Sequence, residues 1–255
     1  MATSRPNGSL FTKIENKVAT LEFGHPASNS FVSELLDRLA KEFTKLSGDE
    51  NVNVIILKSE GDRAFCAGAS FDELVAVSSL EEGTIFFNGF ANVINAMRTC
   101  SKVIVGRVQG KTVGGGVGLA AACDMVYATE SASIRLSELT IGIAPFVIAP
   151  AVERKIGTAA LSELSLNPTE WKTAYWAKEK GLFAKVYESI SELDKELDFY
   201  TNSLSQYNPQ ALEDWKKVLW KNTDHWDVLL PERAAITGKL ALSEFTKNTL
   251  EKFKK

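Results

Sequence analysis

A chain of 255 residues, 45% hydrophobic and 24% charged, can bury a full core, which excludes a disordered or fibrous protein and makes two large independent domains unexpected. Its 29 basic and 32 acidic side chains leave a net charge of -3, so nothing electrostatic points to a nucleic-acid partner. The longest apolar run, residues 139–152, is broken by Pro145 and Pro150 and falls short of the ~20 residues that a membrane span needs.

From the amino terminus, residues 1–16 lack the charged, apolar and small-residue succession of a secretory signal, and cytoplasm is the expected location. Residues 9–14 and 17–23 are short and rich in β-formers, and Glu15-Asn16 between them predicts a hairpin. Ser30 reads as the N-cap of a helix in which Phe31, Leu35, Leu36, Leu39 and Phe43 recur at helical spacing, ending near Gly48. Residues 52–57 form a nearly continuous β-branched run, the pattern of a strand buried on both faces. A glycine-bearing loop at 61–70 then enters a helix-like stretch at 71–76. A second round follows, with a helix-compatible stretch at 80–100, a buried-type strand at 103–108 and a glycine cluster. Short strands are expected at 125–128 and 133–136. From Ala144 onward glycine is rare, and amphipathic patterns take over at 191–207, 209–220, 227–240 and 243–253. The fold class is therefore α/β over residues 1–190, with a helical region, 191–255, packed on that core or on a neighbouring subunit. No Pro/Gly/Ser-rich linker separates the two.

The glycine cluster is the main chemical signal. A strand that turns through Gly106, Gly110 and Gly114-Gly115-Gly116 into an apolar stretch presents free backbone amides, which three chemistries use. A P-loop needs four residues between its first glycine and Gly-Lys-Ser/Thr, and only three separate Gly106 from Gly110-Lys111-Thr112. A dinucleotide fingerprint counted from Gly114 meets Leu119 where a small residue belongs. The third chemistry is an oxyanion hole, which holds charge developing on a carbonyl oxygen between two N–H donors. Its second donor has a candidate in the loop after the first buried strand, at Gly68-Ala69. Glycines that merely allow close helix packing are the remaining alternative.

Ala64-Phe65-Cys66-Ala67-Gly68-Ala69 followed by Phe71-Asp72-Glu73-Leu74, together with Gly114-Gly115-Gly116 followed by Cys123-Asp124, resembles the enoyl-CoA hydratase/isomerase (crotonase) family. The likeness covers nearly the whole chain. It implies a crotonase-like core of repeated ββα units, a homotrimer or dimer of trimers, and coenzyme A as part of the substrate, with no covalently bound cofactor and no metal. It also implies that the Ala69 and Gly115 amides hold the thioester oxygen. Ala67, Gly68, Gly114 and Gly116 would surround the substrate, and Arg63, Ala64 and Phe65 would lie on the coenzyme side, although a solvated loop arginine explains Arg63 equally well. Hydratases of the family carry two catalytic glutamates, at positions that are Gly118 and Glu138 here. Leu136, Leu139 and Ile141 around Glu138 disfavour its charged form, which suits a general acid/base. One glutamate and an apolar residue at the other position resemble the Δ3,Δ2-enoyl-CoA isomerases, as does the stretch through Ala144-Pro145-Phe146. Isomerisation is the expected activity. Hydration, for example of methylglutaconyl-CoA, is the alternative, and a catalytically silent acyl-CoA-binding protein is the second. Residues 74–90 are expected to shape the acyl pocket.

Other conspicuous residues take plainer readings. Cys66, Cys100 and Cys123 lack metal-ligand spacing and are expected as buried thiols. His25 and His225 are expected in turns or at the surface, and the five tryptophans, Trp171 to Trp226, in packing between helices or subunits. The end of the chain, Lys252, Phe253, Lys254 and Lys255, resembles the family's carboxyl end, which approaches the coenzyme, and is equally a solvated charged tail.

Overall fold

The computed structural model describes residues 6–253, so part of the segment read for a targeting signal, and Lys254 and Lys255, lie outside the described residues. The hairpin forms from β1 (Ser9–Glu15) and β2 (Val18–Gly24). Asn16 and Lys17 at its turn both take positive φ, 51° and 64°, the geometry whose twist matches that of the flanking strands.

The helix expected from Ser30 starts later, as α1 (Ser33–Ser47). Phe31 is not on it: this fully buried side chain forms a parallel bridge with Ala69. An apolar residue four positions before Leu35 satisfies the helical template while belonging to a strand-like segment aimed at the same core. The first buried strand is also displaced, running as β3 (Val54–Ser59) rather than 52–57. Val52 is buried without joining the ladder, and a β-branched run reports burial rather than pairing.

Three further rounds repeat one pattern. Each of β3, β5 (Val103–Val108) and β7 (Met125–Thr129) is followed by a three-residue strand, respectively β4 (Ala64–Cys66), β6 (Lys111–Val113) and β8 (Ser133–Arg135), and then by helix. The helices are α2 (Phe71–Ala76) and α3 (Leu80–Thr99), then α4 (Gly115–Ala122), then a 3-10 turn (Glu138–Ile141) and α5 (Ala149–Leu166). These are the repeated ββα units that the resemblance implies. The larger sheet runs β1-β2-β3-β5-β7-β10, and the smaller runs β4-β6-β8-β9, with β9 (Lys172–Thr173) and β10 (Lys185–Tyr187) flanking α6 (Ala174–Glu179).

The carboxyl-terminal helices α7 (Ile190–Ser205), α8 (Pro209–Leu219), α9 (Trp226–Ala241) and α10 (Glu244–Phe253) complete this chain's own core. Leu193 and Leu197 of α7 cover Val54, Ile56, Val105 and Tyr127 on one face of the larger sheet. Ile55, Leu57 and Ile104 face the opposite way, into the cluster that includes α1 and α3. Both faces are covered, which is why these strands read as continuous apolar runs. Trp226, Leu230 and Ala234 of α9 join the larger cluster, and Gly83 meets Gly238 where α3 and α9 pack closely. Trp220 and Trp226 stack edge to face, 5.9 Å apart, whereas Trp215 is turned to solvent. Among the described residues no helix is long and apolar enough to cross a membrane.

Candidate active site

The smaller sheet explains how distant segments meet. Strands β4, β6 and β8 lie side by side and parallel, so their carboxyl ends open on one side. Ala69, Gly115 and Glu138 follow those ends by three, two and three residues, past Cys66, Val113 and Arg135. Ligands of parallel sheets gather at strand carboxyl ends because the connecting loops converge there. A cavity of about 320 Å³ occupies that place.

Backbone hydrogen bonding aims the first loop. Phe31 N–H donates to the Gly68 carbonyl (2.8 Å) and Ser70 N–H to the Phe31 carbonyl (2.7 Å). In such a bridge the intervening residue turns its own N–H and C=O the other way, so Ala69 points its amide away from Phe31. The second loop turns at Gly114, whose φ of 52° a side chain rarely adopts and whose added Cβ would lie 2.9 Å from Glu138 Oε1. Gly115 then opens α4, where the N–H groups of the first turn have no helical partner and the helix dipole favours negative charge. Among the described residues neither the Ala69 nor the Gly115 N–H has an acceptor in the protein. The loops are close, with Gly115 N 3.9 Å from the Cβ position of Gly68.

Glu138 sits opposite, at the start of the 3-10 turn. Its Oε2 is shut off from solvent and has no hydrogen-bond partner. Burial pushes its carboxyl up from 4.5 to about 7, against a small opposing effect of a backbone N–H. Desolvation disfavours the charged form, and no cation pairs with this carboxylate to offset it. Of the three residues expected to surround it, Leu139 is 40% exposed, Leu136 is buried and Ile141 lines the cavity, where Phe90 and Ile148 extend the apolar wall. No other acid lines the cavity among the described residues.

Of the residues singled out from the sequence, Ala67, Gly68, Ala69, Gly114, Gly115 and Glu138 line this cavity. Arg63, Ala64, Phe65, Gly116 and Gly118 do not. Phe65 is fully buried in the core, edge-on to Phe23 at 5.4 Å, because alternation along β4 turns it inward. The ring is therefore a core group, and only the backbone of Phe65 is left for the coenzyme side. The Ala64 carbonyl is taken by Asn29 Nδ2 (2.9 Å) and Gln109 Nε2 (3.0 Å), which anchors the loop, and Arg63 is exposed. Gly116 makes room for Cys66, whose Cβ would lie 2.6 Å from a Cβ there. Gly118 faces Ile148, whose Cβ would lie 2.6 Å from a Cβ at that position. Both glycines serve packing beside the cavity rather than contact within it. Cys66, Cys100 and Cys123 are buried free thiols.

Sequence reading missed Ile148 on the cavity wall and Thr237, which α9 contributes from the helical region. No local signal marks Ile148. Thr237 stands out only as a polar residue on the buried stripe of a helix. Within the expected region 74–90, Leu74, Phe87 and Phe90 line the cavity. Arg233 of α9 donates to the Phe146 carbonyl (3.3 Å), tying the segment after Glu138 to that helix.

Comparison with known proteins finds a match of residues 13–249 to a family model described as enoyl-CoA hydratase/isomerase. A probable enoyl-CoA hydratase of Bacillus subtilis is 27% identical, covering 94% of this chain and 93% of its own. A peroxisomal Delta(3,5)-Delta(2,4)-dienoyl-CoA isomerase of Arabidopsis thaliana is 27% identical over 86% of this chain and 80% of its own. The human mitochondrial methylglutaconyl-CoA hydratase is 34% identical over 70% of this chain and 53% of its own. Among solved structures, an enoyl-CoA hydratase from Bacillus halodurans superposes with a TM-score of 0.89 at 22% identity, covering 95% of this chain and 99% of that one.

Proposed function

This chain belongs to the enoyl-CoA hydratase/isomerase family, as an enzyme of isomerase or hydro-lyase type, and we propose that within the family it is a Δ3,Δ2-enoyl-CoA isomerase. The observation that carries the proposal is that Glu138 is the single acid on the cavity wall among the described residues. Moving a double bond needs one base that shuttles a proton, whereas adding water asks for groups that also hold and activate the water. Glu138 takes the proton from C2 of a 3-enoyl-CoA as the C–H bond breaks. The electron pair spreads onto the thioester oxygen, which the Ala69 and Gly115 N–H groups hold. Glu138 then returns the proton at C4, leaving the double bond between C2 and C3. A carboxyl near 7 can give and take a proton at neutral pH, as this shuttle requires.

Hydration is the second reading, and the hydratase names among the relatives favour it. The two separate on purified protein given 3-enoyl-CoA and 2-enoyl-CoA of several chain lengths in isotopically labelled water. Double-bond migration from the 3-enoyl substrate, with no labelled oxygen in the product, is expected. A 3-hydroxyacyl product formed without migration sinks the isomerase reading, and inertness towards every thioester leaves a silent acyl-CoA-binding protein.

The assembly belongs to the proposal as well, as a homotrimer or dimer of trimers. Its support is the family likeness and an apolar stripe on α8, where Trp215, Val218 and Leu219 recur at helical spacing and all face solvent in the single chain. Light scattering is expected to read three or six times the 27.9 kDa of one chain. A single-chain mass counts against it.

A further inference from the structure

We infer that Ile148 determines which reaction this site performs: its side chain occupies the space that a second carboxylate would need and keeps water away from the face of the acyl chain beside Glu138. The inference rests on the isomerase reading and goes beyond it, because lacking an acid and being closed to water are separate properties. A glycine at 118 by itself would leave a void beside the reacting carbons, large enough to admit water next to the buried Glu138 carboxyl. Here Ile148 occupies the place next to Gly118. Ile148 is 4% exposed, lines the cavity from the segment just before α5, and turns its Cβ and Cγ2 towards Gly118, with the Cβ 2.6 Å from where a Cβ at 118 would stand.

The contact has a geometric consequence. Gly118 lies in the first turns of α4, the helix whose amino end carries the Gly115 N–H, so any side chain there must displace Ile148 or tilt α4. Close-packed interiors resist both. Ile148 itself is held from two sides: Val152 N–H donates to its carbonyl (3.1 Å), and the preceding Phe146 carbonyl accepts from Arg233 of α9. Glycine at 118 and isoleucine at 148 therefore form one unit, and reaction type is set by the pair.

The test uses the full-length protein as wild type, Gly118→Glu, Ile148→Ala, Ile148→Val and the double variant Gly118→Glu/Ile148→Ala, each followed by thermal melting and by both enoyl-CoA assays. Gly118→Glu alone is expected to melt lower and lose isomerisation, and Ile148→Ala on the same chain to restore the melting temperature, a mutual rescue that an unrelated pair would not give. The double variant is expected to hydrate 2-enoyl-CoA roughly 10²-fold or more faster than Ile148→Ala, since a second carboxylate then takes one proton of the water as its oxygen bonds to C3 and Glu138 protonates C2. Ile148→Val, which keeps Cγ2 against Gly118, is expected to retain the wild-type product. A wild type that does not isomerise sinks the isomerase reading, whatever the variants do. A wild type that isomerises, with a double variant that neither regains stability nor hydrates, overturns the inference alone, as does a wild type that both isomerises and already adds water.

Discussion

Replacing Glu138 by Gln is expected to lower kcat for double-bond migration by about 10²–10⁴-fold with little change in KM, the usual loss when a positioned acid/base is removed. Gln keeps the shape of the side chain and its place against Gly114, so the cavity persists while the proton carrier goes. The same substitution should stabilise the protein at high pH. Burial raises this carboxyl from 4.5 to about 7, so between those values the folded state holds a proton that the unfolded chain has lost. Folding is unaffected by the group below pH 4.5, weakens as pH rises towards 7, and above that carries a penalty of about 3 kcal/mol for a buried, ionised carboxylate. Unfolding midpoints of Glu138→Gln and wild type should thus coincide near pH 4.5 and diverge in favour of the variant by pH 8. Wild-type kcat/KM should rise with pH through an apparent pKa near 7, because the free enzyme needs the base ionised. An active variant, or one destabilised equally at both pH values, would show that Glu138 is an ordinary structural glutamate.

Much of this site could be read from the sequence because its signals are local. Two glycine turns and a glutamate among apolar residues each announce a backbone or solvation requirement in a few positions, and the chain order of strand, turn and helix follows from runs of matching period. Of the smaller sheet only β8 was legible, as the short strand expected at 133–136, and the rest was hidden for the opposite reason. Strands of three residues, such as β4 and β6, are too short to display alternation, yet with β8 they set Ala69, Gly115 and Glu138 side by side. Phe65 stands inside the most recognisable motif and is a core residue, since a motif records which residues recur and not which way each one faces. Ile148 lies thirty positions from Gly118, and only packing relates the two. The helical region gave no sign that it would close the site, because the apolar stripe of α9 fits this chain's α3 as readily as a neighbour's surface.

Asp124→Ala is expected to cost about 3–5 kcal/mol of stability, as removing one partner of a buried ion pair leaves the other charge uncompensated. The Asp124 side chain is 3% exposed and makes three contacts at once, to β5 and to α8 and the residue that caps it. Its Oδ2 accepts from Ile104 N–H at the start of β5 (2.7 Å) and pairs with Lys216 of α8 (3.0 Å), and its Oδ1 accepts from Trp220 Nε1 (2.6 Å). Lys216, also 3% exposed, gives its remaining donors to the carbonyls of Met97 (3.0 Å) and Lys102 (2.8 Å), so without Asp124 its charge rests on neutral acceptors alone. Urea midpoints should show Asp124→Ala/Lys216→Met recovering a large part of the loss, because a missing pair costs less than a stranded charge. The recovery stays incomplete, since Trp220 Nε1 remains without its acceptor. The consequence reaches the site. Trp220 braces Trp226 at the first turn of α9, and α9 carries Thr237 on the cavity wall and Arg233 on the Phe146 carbonyl. Loosening α8 should therefore raise KM for the acyl thioester before kcat falls, whereas a variant that lowers kcat alone would mean that Asp124 acts on the proton shuttle rather than on the wall.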